Sequence, residues 1–188
     1  MVNPYPPAQQ GTTVRSGDDA EPGRGLWWGL GVILVAVIVA AAFGTVTNGG
    51  DDVARDVVAA QSRVPDRGAP AMRPDGTPVA SADGVAFPAL AARQGWVAVG
   101  RRTDQVSDRT VTTLVYGREG TRLAYSVVSG PPLGAPPGSR SVGGRPPVVI
   151  TFDANGRTAV MTLRHGHTVV ASAVGVPLAA LVRAAHTD

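Results

Sequence analysis

Between Arg24 and Asp51 the chain runs through residues 25–50 without a single charge. Its centre reads Leu26-Trp27-Trp28-Gly-Leu-Gly-Val-Ile-Leu-Val-Ala-Val-Ile-Val-Ala-Ala-Ala-Phe43. About 20 apolar residues, each rising about 1.5 Å, match the ~30 Å hydrocarbon core of a bilayer. A helix satisfies its own backbone polar groups, which any lipid-spanning segment must do. Trp27 and Trp28 stand at one end, where amphipathic rings favour the headgroup level. The run predicts a transmembrane helix over 26–47, with the lipid bilayer as a partner. It divides the rest into a tail (1–25), a short helix and linker (48–85) and an α+β domain (86–188).

Three readings of the apolar run compete. It is an uncleaved signal anchor with the tail inside, a cleaved signal peptide ending near Ala40-Ala41-Ala42, or an anchor of inverted orientation. The run continues through Phe43 to Val46, longer than a usual signal core. Arg24 precedes it directly, which leans toward a cytoplasmic tail, although Arg55 and Arg63 follow close behind. The first reading is adopted: a cell-membrane protein crossing once, N-terminus cytoplasmic and C-terminal domain extracytoplasmic.

Charge and cysteine content close off several functions. The chain holds 17 basic residues, every one an arginine, against 14 acidic residues. Apart from Arg101-Arg102 they form no cluster, so the phosphate-tracking stripe of a nucleic-acid binder is missing and no nucleic-acid partner is expected. The absence of cysteine removes disulfides, thiolate zinc sites and cysteine nucleophiles.

Residues 1–25 are rich in Pro and Gly without apolar periodicity and cannot bury a core. Beyond the span, Asp51 or Asp52 can cap a helix carrying Val53, Val57, Ala60 and Val64 at helical spacing until Pro65. This helix packs on the domain or lies at the membrane surface. Residues 65–85 read as a linker. A short helix is predicted over 89–94, with Pro88 in its first turn and Gly95 as a left-handed cap.

Strand patterns follow at 96–102, 110–116, 121–128, 147–153, 158–164 and 167–173. Gly117–Gly120, Asn155-Gly156 and Gly166 mark hairpin turns. Leu123, Tyr125 and Val127 share a face, as do Val148, Ile150 and Phe152, and Ala159, Met161 and Leu163. A closing helix spans 177–185 with Leu178, Leu181 and Val182 on one face. The expectation is a mainly antiparallel sheet of about six strands, covered on one face and flanked by short helices.

Motifs that carry chemistry are scarce. His165, Gly166 and His167 put a turn between two imidazoles, so the rings diverge and no metal site is expected. Gly138–Gly143 lacks the spacing of a nucleophile elbow, and Gly134–Ser139 lacks the lysine of a phosphate-binding loop. The acids Asp104, Asp108, Glu119 and Asp153 sit mostly at turns, without an acid–base pair. No catalytic residue and no cofactor is therefore assigned. Trp96, Tyr116 and Tyr125 read as core residues or as a groove lining. The Pro/Gly-rich stretch 129–147 is long for a compact domain, and such loops are often functional. Its Arg140 and Arg145 are the candidate ligand or partner residues, suited to a carboxylate or phosphate.

The stretches Gly95–Asp104, Arg109–Tyr116, Arg122–Leu133 and Arg164–Pro177 together resemble the extracytoplasmic domain of anti-sigma-factor-like membrane proteins of high-GC Gram-positive bacteria. The resemblance covers about 85–186 and rests on turns and strands. Members that bind a sigma factor do so through an N-terminal cytoplasmic helical domain, often with a His/Cys zinc site. This chain has 25 tail residues there and no cysteine. The resemblance thus implies the sensory outer half of such a regulator, without direct sigma-factor binding. It implies a non-enzymatic domain that binds an envelope ligand or another membrane or envelope protein. The alternatives are a structural or accessory envelope protein, or an envelope enzyme.

Overall fold

The computed structural model describes residues 50–142 and 149–187. The predicted span, with Leu26, Trp27, Trp28 and Phe43, lies outside the described residues, as do Arg145 and Val148. Among the described residues no helix is long and apolar enough to cross a membrane.

Helix α1 (Gly50–Gln61) is followed by a small hairpin, β1 (Ser81–Ala82) and β2 (Val85–Ala86), and by helix α2 (Leu90–Gln94). The main sheet comprises β3 (Val97–Val106), β4 (Arg109–Arg118), β5 (Thr121–Val128), β6 (Arg140–Val142), β7 (Val149–Ala154), β8 (Arg157–Arg164) and β9 (His167–Ala173). Helix α3 (Leu178–His186) closes the chain. The seven strands lie in the order β3-β4-β5-β9-β8-β7-β6, and every pair is antiparallel. Two meanders, β3-β4-β5 and β6-β7-β8-β9, therefore meet where β5 pairs with β9.

Turn chemistry sets the register. Glu119-Gly120, Asn155-Gly156 and His165-Gly166 each form a two-residue loop with both φ angles positive. Such loops twist in the sense that flanking strands require, and glycine takes the second position without strain. Asp83-Gly84 does the same for the β1–β2 hairpin. Helix α2 ends as expected at left-handed Gly95 (φ 69°), whose N–H bonds the Ala91 carbonyl at 3.0 Å.

Two features differ from expectation. The sheet has seven strands rather than about six, because three residues of the Pro/Gly-rich loop pair with β7: Arg140 with Thr151, Ser141 with Ile150, and Val142 with Val149. A three-residue strand carries no readable alternation. The sheet is also covered on both faces, not one. Leu123, Tyr125 and Val127 pack with Leu114, Val160, Val169 and Ala171 against Phe87, Leu90, Trp96 and the α3 stripe Leu181, Ala184 and Ala185. On the other face Ile150, Phe152, Ala159, Met161 and Val170 pack under Val53, Ala54, Val57 and Val58 of α1. The central strand β9 is buried from Thr168 to Ala173, which is two-sided burial rather than alternation. The second core is hard to read because small and hydroxylated residues (Ala124, Ser126, Thr113, Ser172) stand between its aliphatic ones.

Residues 65–85, expected as a linker, are tied to the sheet. Arg67 and Arg101 exchange backbone hydrogen bonds of 3.0 Å across the outer edge of β3. Pro65 packs so closely on Gly100 that a Cβ there would lie 2.6 Å from the proline Cβ. The chain thus passes from α1 on one face, around the β3 edge, to α2 on the other. The stretch after β5 is also held. Leu133 is buried in the second core and its N–H bonds Thr168 Oγ1 at 2.8 Å. Arg109 donates to the carbonyls of Ser129 and Pro131, and Arg55 to that of Pro137.

Candidate functional site

The far edge of the sheet is built differently from the strapped β3 edge. Strand β6 is short, and Arg140 and Ser141 on it are exposed. Beside it lies an open groove of about 590 Å³, bounded by Arg140, Val142, Thr151, Asp153, Thr158 and Leu178. The Asn155-Gly156 turn places Asp153 opposite Thr158, and the Thr158 hydroxyl donates to Asp153 Oδ1 at 3.0 Å. The Thr151 hydroxyl donates to the Arg140 carbonyl at 3.3 Å, and the Arg140 guanidinium makes no hydrogen bond or ion pair among the described residues. Leu178, the first residue of α3, keeps 38% of its surface and gives the groove an apolar end. A cation, a carboxylate, hydroxyls and an apolar rim suit recognition of a polar ligand bearing a negative group opposite Arg140.

Of the two predicted loop residues, Arg140 sits in this groove, and Arg145 lies outside the described residues. Asp153, Thr151 and Thr158 were not singled out in the sequence as a site. Their signal was indirect: a two-residue Asn-Gly turn fixes Asp153 against Thr158, but their proximity to Arg140 needs the unread strand β6.

The other candidates resolve into structure. Trp96, Tyr116 and Tyr125 are all buried in the first core. The Tyr116 hydroxyl donates to the Pro88 carbonyl at 2.9 Å, and burial pushes its pKa far up. Tyr125 meets the edge of Phe87 at 5.9 Å between centroids and accepts a hydrogen bond from Arg164. The Arg118 guanidinium lies 4.7 Å above the Trp96 ring. His165 is exposed in its turn while His167 begins β9 half-buried, and no metal-holding group of side chains occurs among the described residues.

Two polar clusters fasten α1 and the strap. At the end of α1, Gln61 Nε2 donates to Ser126 Oγ at 2.7 Å and to the Val170 carbonyl at 2.9 Å, and Ser172 Oγ donates to Gln61 Oε1. Thr113 Oγ1 lies 2.7 Å from Ser126 Oγ, and Arg157 donates to both Ser172 Oγ and the Ser172 carbonyl. Burial lowers the Arg157 pKa. Beyond α1, Arg102 makes two 2.5 Å bonds to the buried carboxylate of Asp104, Arg63 adds one at 3.0 Å, and Arg102 also reaches the Val64 carbonyl. Burial pushes the Asp104 carboxyl up, but the hydrogen bonds and charges of Arg102 and Arg63 outweigh it and hold the pKa below the ordinary value.

Comparison with family models, curated proteins and solved structures finds no match to this chain.

Proposed function

We propose that this chain is a membrane-anchored, non-enzymatic sensor or binding domain. It resembles the outer half of an anti-sigma-factor-like regulator and does not itself bind a sigma factor. Its domain faces the extracytoplasmic side and recognises an envelope ligand or another membrane protein through the groove beside β6. The observation that carries this reading is the contrast between the two sheet edges. The β3 edge is strapped by the chain's own backbone, whereas the β6 edge is a three-residue strand beside an open groove that Arg140 helps to line. An exposed strand edge is a ready template for an added partner strand. Helix α1, which follows the apolar run in sequence, belongs to the second core.

The test is affinity capture from envelope extract with the full chain in detergent, followed by Arg140→Glu. Specific capture that the substitution reduces at least tenfold supports the reading. Capture of nothing, or of the same species by both proteins, overturns it. Deletion of the gene separates regulation from a structural or accessory role: the first changes transcription, the second wall integrity alone.

A further inference from the structure

We propose that the groove between β3 and the segment carrying Arg73 to Ser81 binds a phosphate group. This concavity of about 370 Å³ lies beside the strapped edge, away from the β6 groove, and its bounding side chains include Arg73, Thr77, Ser81 and Arg101 but no carboxylate. Arg67 stands directly opposite Arg101 in the antiparallel bridge, each N–H bonding the other's carbonyl. Residues so paired project to the same face with Cβ atoms about 5 Å apart, and like charges there repel. Arg73 and Arg101 thus bound the groove, and the backbone of a third arginine, Arg67, is paired with Arg101.

Neutralisation from within the protein is partial: the exposed carboxylate of Asp75 acts electrostatically on Arg73, and no acid pairs with Arg101 among the described residues. Among the described residues Arg67, Arg73 and Arg101 hold no ion pair and no side-chain hydrogen bond, as is true also of Arg93, Arg122, Arg140 and Arg183, whereas Arg63 and Arg102 share Asp104, and Arg109, Arg118 and Arg157 are all bonded. Of the nearby acids, Asp75 accepts the Thr77 N–H at 2.9 Å together with a Thr77 side-chain hydrogen bond, and Asp66 acts on Arg102. Arg101 is sunk into the groove wall: its Nε is sealed from water without an acceptor. A buried donor without a partner is uncommon and costly. Arg101 bounds the groove together with Arg73, Thr77 and Ser81. Two forked guanidinium donors and the Ser81 hydroxyl, around a hollow with no carboxylate among its bounding residues, are the chemistry that recognises a tetrahedral phosphate.

The experiment follows the melting temperature of the full chain in neutral detergent as inorganic phosphate replaces chloride at constant ionic strength. A ligand that binds only the folded state raises it by mass action. Phosphate is expected to stabilise the wild-type chain, with apparent affinity at least tenfold weaker in the Arg73→Gln/Arg101→Gln double variant. Arg67→Gln and Arg73→Gln change exposed side chains, so they carry the test if the Arg101 change prevents folding. A second arm compares short-chain phosphatidylglycerol with short-chain phosphatidylcholine. A response to phosphatidylglycerol and not phosphatidylcholine supports the site with a lipid headgroup as source. A response to inorganic phosphate alone supports it with a free or polymer-borne phosphate. Equal melting in phosphate and chloride with no lipid response, or an undiminished response in the variants, overturns the proposal.

Discussion

Asp104 has 3% of its side chain exposed and two arginines on its carboxylate. Truncating one member of such a cluster leaves uncompensated charge: Asp104→Ala is expected to cost about 3 kcal/mol, read as a lowered urea midpoint of the 50–188 fragment. Its pH dependence has a definite sign. Because the folded-state pKa is depressed, its contribution is complete above the unfolded value near 3.8 and is lost as pH falls through the folded value. Wild-type stability should therefore drop on acidification below about pH 4 more steeply than that of Asp104→Asn; parallel curves would refute the assignment. Gly100 works by absence. A Cβ there meets Pro65 at 2.6 Å and 2.8 Å and the Arg67 carbonyl at 3.2 Å. Gly100→Ala should cost about 1–3 kcal/mol and raise amide exchange at Arg67 and Arg101 as the strap lifts. Unchanged exchange would show that the strap tolerates the methyl group.

Helix α1 is the element whose role changes most between sequence and fold. Val53, Val57 and Ala60 are buried as their spacing suggests, but Val64 lies beyond the helix and is 74% exposed. Helical periodicity reports that a stripe is buried, not what covers it, and the cover here is a sheet face that the strand patterns concealed. Val57→Arg places a charge in the second core, so hydrogen exchange should show α1 losing protection while β5 and β9 keep theirs. Uniform loss across the sheet would mean that α1 and the strands unfold as one unit. In helix α3 the buried stripe is Leu181, Ala184 and Ala185, and Leu178 turns toward the groove rather than the core.

At the scale of the whole molecule, the prediction concerns orientation. Reporter fusions at the two termini should be active inside for the N-terminus and outside for the C-terminus, with N-terminal sequencing of the mature protein recovering the apolar run. A C-terminal reporter active only inside would reverse the proposed side on which the domain meets its ligand. The two grooves would then face the cytoplasm without any change in their chemistry.

The sequence by itself determined the hairpins and most strands, because turn residues such as Asn155-Gly156 act through local backbone sterics that need no distant partner. It also determined the left-handed cap at Gly95 for the same reason. It pointed to Arg140 only by the oddness of the loop around it. The tertiary structure alone decided that the sheet is covered on both faces, that residues 65–85 strap one edge, and that Arg73 and Arg101 bound one groove. Those outcomes depend on contacts between segments far apart in the chain. A pattern of burial and turns along one strand carries no record of which distant side chains will stand beside it.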